Sequence, residues 1–162
     1  MKRQVNLWLM IGPPGSGKTT AVRKIFNENA LHISRDAIRF KMVAENEPYF
    51  SKEDEVWREF IHQINHYLEM GFNVFADATH INTGARRKLL KEIKGNPTFA
   101  AIHITTPISL CLKRNALREG RECVPESAIK RMYSQFEEPS FEEGFEIIYT
   151  VDAFGGIEIR RR

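Results

Sequence analysis

A chain of 162 residues, 42% apolar and 28% charged, has the length of one domain and the balance of a globular fold in water. No apolar run reaches the length of a bilayer span and no signal-type segment opens the sequence, while Cys111 and Cys123 fit neither a metal-ligand spacing nor a disulfide framework. The expected setting is therefore intracellular and without a membrane. A net charge of +3 is too small to require a polyanionic partner, but it is unevenly spread. A basic region runs from Arg86, Arg87, Lys88, Lys91 and Lys94 through Lys113, Arg114, Arg118 and Arg121 to Lys130 and Arg131, and an acidic stretch follows at residues 137–158. The basic region reads equally as a polyanion track or as solvated helix faces.

Residues 5–11 are apolar except for Asn6 and read as a buried parallel strand, and residues 19–26 read as the helix that follows. Between them, Gly12-Pro-Pro-Gly-Ser-Gly-Lys-Thr19 satisfies G-x-x-x-x-G-K-[ST] at every fixed position. Glycines let the backbone curl until several N–H groups point into one hollow, and a helix N-terminus adds partial positive charge there. The pattern predicts a nucleoside triphosphate site, ATP or another NTP. It is built from Gly12, Pro13, Pro14, Gly15, Ser16, Gly17, Lys18 and Thr19, with Thr20 beside it. Lys18 reaches the terminal phosphates and the Thr19 hydroxyl helps hold Mg²⁺.

Downstream, residues 31–33 form a short second strand, and Ser34-Arg-Asp-Ala-Ile-Arg39 turns into a helix. A loop at 45–50 precedes a long amphipathic helix at about 52–70, with Val56, Phe60, Ile64 and Leu68 at helical spacing and Gly71 as its stop. A third strand at 72–76 ends on Asp77, and Asn82 or Thr83 caps a helix running to about residue 94. A fourth strand at 98–104, helices at 107–118 and 126–136 around a loop at 119–125, and a fifth strand at 145–151 complete the order, followed by a short basic tail. Strands alternating with helices predict an α/β phosphate-loop NTPase fold: a five-stranded, mostly parallel sheet with helices on both faces and a helical lid at about 113–135. Ligands on such a sheet bind beyond the carboxyl ends of the strands.

The residues at those ends are the candidate site. Asp36 either accepts the proton of an attacking hydroxyl or caps a helix, and Arg39 lies one turn on, where it holds an anion or pairs at the surface. Asp77 holds Mg²⁺ through water, orients a neighbour, or caps a turn, and Thr79 and His80 are candidates for an acceptor site. Arg114 and Arg118, i and i+4 on one helix, either neutralise charge on a transferring phosphoryl group or stand solvated. His62 and His66 share that spacing, but no Glu follows His62 as a metalloprotease helix requires, so they are read as surface residues.

With these residues in view, the sequence resembles the polynucleotide 5′-hydroxyl kinases over nearly its whole length, residues 7–149. Gly12-Pro-Pro-Gly-Ser-Gly-Lys-Thr19 is similar to that family's phosphate loop, Ser34-Arg-Asp-Ala-Ile-Arg39 to its Arg-Asp-x-x-Arg segment, Asp77-Ala-Thr-His80 to its second acidic motif, and Arg114-Asn-Ala-Leu-Arg118 to its lid. The resemblance implies Asp36 as general base and Arg39 on the acceptor strand's phosphate. It further implies Asp77, Thr79 and His80 at the acceptor, Arg114 and Arg118 on the donor phosphates, and Val124 and Pro125 near the adenine. It implies ATP and Mg²⁺ as reactants and 5′-hydroxyl ends of DNA or RNA as partners, with phosphate added and no phosphatase domain in these residues. A kinase for a small alcohol, or an RNA-binding module without chemistry, would use the same scaffold.

Overall fold

The computed structural model describes residues 4–25 and 30–162. β1 (Asn6–Ile11) is buried on both faces from Leu7 on, which is why it is apolar there: Leu7, Leu9 and Ile11 serve one core and Trp8 and Met10 the other. It leads through the phosphate loop into α1 (Lys18–Ile25); the part of the predicted helix that extends to Phe26 lies outside the described residues. Then come β2 (Ala30–Ser34), α2 (Arg35–Met42), α3 (Glu53–Glu69), β3 (Asn73–Asp77), α4 (Thr83–Glu92) and β4 (Thr98–Thr105). α5 (Ile108–Ala116), α6 (Glu126–Ser134), β5 (Ile147–Asp152) and β6 (Ile157–Arg161) complete the chain, with single 3₁₀ turns at Gly120–Glu122 and Phe141–Glu143.

The sheet order is β2-β3-β1-β4-β5-β6, parallel except for β6. This corrects the expected strand count from five to six. The basic tail is an antiparallel edge strand, with Ile157 opposite Val151 and Ile159 opposite Tyr149. Its isoleucines alternate with Glu158 and Arg160 at strand period, but they are exposed, so no buried face marks the segment in the sequence. α3 lays Val56, Phe60, Ile64 and Leu68 against Leu7, Leu9 and Val74, as its apolar stripe predicts. The resulting core holds the carboxyl ends of β1, β2 and β3 side by side.

One charged residue lies inside this packing. Arg86, 0% exposed, donates from Nε to Glu143 Oε1 at 2.7 Å and from an Nη to Glu143 Oε2 at 3.2 Å. Its other donors reach the carbonyls of His80 at 2.8 Å and Glu138 at 3.3 Å. Arg86 therefore does not belong to the basic surface where the sequence placed it; it pins the turn after β3 to the segment that precedes β5. Glu137 adds to the same clamp by accepting from Thr83 N–H at 2.7 Å.

Removing one partner of a buried pair leaves the other charged without compensation. Arg86→Leu should therefore cost about 3–5 kcal/mol in urea unfolding, and Arg86→Leu with Glu143→Leu should recover much of that loss. A single variant of undiminished stability would contradict the clamp.

Candidate active site

The phosphate loop is tied down on both flanks. Gly12 N–H donates to the Thr79 carbonyl at 3.1 Å, and the buried Thr106 hydroxyl donates to the Ser16 carbonyl at 2.6 Å. Gly15 has φ of +80°, and a Cβ there would stand 2.5 Å from the Cys111 carbonyl oxygen, so only glycine lets the loop pass α5. Lys18 donates from Nζ to the Gly12 and Pro13 carbonyls at 2.9 and 3.3 Å. Burial pushes its pKa down, against the pull of the Asp77 and Asp36 carboxylates. Thr19 donates to Asp77 Oδ2 at 3.4 Å, and His32 Nε2 lies 2.9 Å from the same oxygen. Burial raises the Asp77 pKa, but the His32 hydrogen bond and the Lys18 charge outweigh it, so the carboxyl sits below its usual range.

A cleft of about 540 Å³ opens between this loop and α2. Ser34 caps α2 by accepting from Ala37 N–H at 3.2 Å, so the capping role left open for Asp36 belongs to Ser34. Asn82 likewise caps α4, accepting from Ala85 N–H at 2.8 Å. The Asp36 side chain is 64% exposed and lines the cleft. Its Oδ1 accepts from Arg39 and from the Tyr49 hydroxyl, the latter at 3.2 Å, while Oδ2 has no hydrogen bond among the described residues.

Arg39 is 5% exposed. It gives Nε and Nη2 to Glu53 at 2.5 and 3.0 Å and lies over the rings of Tyr49 and Phe50 at 4.8 and 5.4 Å. The guanidinium that the resemblance assigns to an acceptor phosphate is thus committed to the wall of the cleft, where it orients Asp36. Burial works against its charge, but Glu53 more than compensates and raises its pKa. Arg35 shares the same carboxylate at 2.9 Å. Glu53, Tyr49 and Arg35 belong to the cleft although none was singled out as a site residue. Their signal was weak, since a Tyr in a loop and a Glu in a helix's first turn are ordinary.

The lid residues divide. Arg114 donates to the Ser16 carbonyl at 3.3 Å and so rests on the phosphate loop, whereas Arg118 is exposed and lines the cleft. Buried Asn115 between them clamps Val124, donating to its carbonyl at 2.7 Å and accepting from its N–H at 2.9 Å. Arg121 reaches back to the Val43 carbonyl at 2.8 Å and covers Phe40 at 4.9 Å, which spans the cleft mouth. Pro14, Gly15, Gly17, Thr20, Thr79 and Val124 also line the cleft; Pro125 stands at the start of α6.

His80 departs from its expected place. It is 5% exposed, 2.9 Å from the Met10 carbonyl through Nδ1 and against Phe60 at 6.5 Å, and it turns into the core rather than toward an acceptor. Pro13 lines a separate cavity of about 280 Å³ with Ile81, His103, Met132, Tyr133 and Phe136, whose walls are mostly apolar.

Among the described residues no group of three or more His, Cys, Asp or Glu could cage a metal. Thr19 and Asp77 instead offer two hard oxygens beside the phosphate loop, a donor set that suits Mg²⁺ held mainly by water and substrate phosphates. No helix of the structure is long and apolar enough to cross a membrane.

A family model described as "AAA domain" matches residues 7–139. Among curated proteins no sequence matches. A chain of the Pnkp1/Rnl/Hen1 RNA repair complex is similar at 21% identity and a TM-score of 0.72, over 83% of this chain but only 45% of that one. A sugar kinase from Janibacter sp. HTCC2649 is similar at 19% identity and 0.67, over 95% and 88%. A fungal RNA kinase is similar at 15% identity and 0.62, over 92% and 38%. These likenesses show a phosphate-loop kinase fold.

Burial pushes the pKa of both His80 and His103 down to about 4. An unfolded chain takes up these protons near pH 6.5, which the folded chain refuses until about pH 4. The stability they contribute is therefore complete above about pH 6.5 and lost as pH falls toward 4, on the order of 3 kcal/mol for each. Thermal unfolding followed from pH 7 to 4 should show this fall, and His103→Gln should flatten it.

Proposed function

This chain belongs to the AAA domain family, and from that premise we propose that it is an ATP- and Mg²⁺-dependent kinase that phosphorylates the 5′-hydroxyl ends of nucleic acid, DNA or RNA. The observation that carries this reading is the cleft itself. The phosphate loop forms one wall, and the other presents Asp36 with one oxygen pinned by Arg39 and Tyr49 and the other open. At the rim Phe50 is 65% exposed, beside Tyr49, an aromatic edge on which a nucleotide base can stack.

The chemistry follows from the positions. The loop amides and Lys18 hold the β- and γ-phosphates. Lys18, part-desolvated and drawn to its own loop carbonyls, exchanges those contacts for phosphate oxygens. The acceptor hydroxyl lies against Asp36 Oδ2, attacks the γ-phosphorus in line and gives its proton to that carboxylate. The bond from oxygen to phosphorus forms as the bridge to the β-phosphate breaks, and ADP leaves. Thr19 and Asp77 would hold Mg²⁺, directly or through water, and the ion would supply charge neutralisation to the phosphates. Arg118 and Arg114 stand where they neutralise the transferring group as the lid closes. Arg39 acts on the acceptor through Asp36, whose carboxylate it fixes.

A kinase for a small polyol is the second reading, favoured by the near full-length likeness to a sugar kinase. The second cavity does not strengthen it, because its walls are mostly apolar.

Labelled ATP offered with 5′-hydroxyl DNA, 5′-hydroxyl RNA and a panel of polyols separates the readings by which product carries label. Asp36→Ala should lose about 10² to 10⁴ in rate while ATP affinity stays near wild type. Full activity in that variant would remove Asp36 from the role of base.

A further inference from the structure

Outside the cleft, one indole collects two cations. Trp57 lies on α3 one turn beyond Glu53, with the Arg35 guanidinium 5.1 Å from its ring centroid and the Lys88 ammonium of α4 4.4 Å away. The indole N–H is committed to Glu92 at 3.0 Å. Glu53, the carboxylate that serves Arg35, is shared with Arg39. Among the described residues Lys88 pairs with no carboxylate, and Arg35 Nε is buried without a hydrogen-bond partner. Two positive groups on one ring repel each other, and an anion shared between them relieves that repulsion.

The position of this ledge says which anion fits. Arg35 lines the cleft and, through Glu53 and Arg39, stands three contacts from Asp36. α3 starts at the cleft with Glu53, and Trp57 one turn on meets Glu92 and Lys88 of α4, so Lys88 lies beyond Arg35, which lines the cleft while Lys88 does not. Resting on the kinase reading above, we infer that Arg35, Trp57 and Lys88 form a subsite for a backbone phosphate of the acceptor strand, beyond the 3′-phosphate of its terminal nucleoside. Arg35 makes the inner contact and Lys88 the outer one. The subsite gives strands an advantage over single nucleotides without reading sequence. If Lys88 merely drapes its stem over the indole, its removal alters all acceptors alike.

The test compares kcat/KM for a short single-stranded 5′-hydroxyl oligonucleotide with that for a mononucleoside 3′-phosphate, over a salt series, in wild type, Lys88→Ala and Lys88→Glu. Lys88 is exposed, so neither substitution threatens folding. Lys88→Ala should lower the strand-to-mononucleotide ratio about tenfold and reduce the slope of log(kcat/KM) against log[salt] for the strand by about 0.7, one phosphate's share. Lys88→Glu should lower the ratio further. A ratio within twofold of wild type, or an unchanged slope, overturns the subsite while leaving the kinase reading intact. So does a wild type that phosphorylates the mononucleotide as well as the strand. A wild type that labels polyols and no nucleic acid overturns the kinase reading, and the subsite with it.

Discussion

The acceptor side of the cleft hangs on one carboxylate. Glu53 opens α3 and holds both arginines of α2 that face it, Arg35 through one guanidinium nitrogen and Arg39 through two. Without it, two cations would face each other across a helical turn, and Arg39 would have no reason to hold its buried pose. With Glu53 in place, Arg39 is stiff enough to fix Asp36 by one oxygen and leave the other available. Arg39, which the resemblance assigns to an acceptor phosphate, is bonded to both Glu53 and Asp36, while Arg35 next to Asp36 keeps a buried Nε without a partner.

A second constraint joins the two walls. The stretch from α5 to α6 touches the phosphate loop through Arg114 and reaches α2 through Arg121, while Asn115 keeps its middle in shape by clamping Val124. Only a few polar contacts bridge the cleft, and Arg118 and Cys123 on that stretch are exposed. The loop beneath it is confined by Thr79, Thr106 and the Cys111 carbonyl.

Much of this was legible in the chain alone. The phosphate loop and the helices with buried stripes are local patterns: glycine spacing, an apolar strand, and Val56, Phe60, Ile64 and Leu68 at helical period. Asp36 and Arg39 were legible as a pair because one helical turn places them together. β6 was missed although its isoleucines alternate with charged residues at strand period, because so short and basic a run also reads as a tail. Arg86 was misread as a surface charge, since a basic residue beside Arg87 and Lys88 carries no mark of the carboxylate that meets it 57 residues later.

The sequence by itself therefore determined what depends on neighbours within a turn or a loop: the order of elements, the donor-phosphate cradle and the candidate base. Only the tertiary structure decided which charges face substrate and which face each other. His80 turned inward to Met10, Arg39 to Glu53 and Arg86 to Glu143, while Arg35 and Lys88 met over Trp57. The reason is physical, because a charge or a ring nitrogen is satisfied by whatever the fold brings within about 3 Å, and sequence separation does not set that distance.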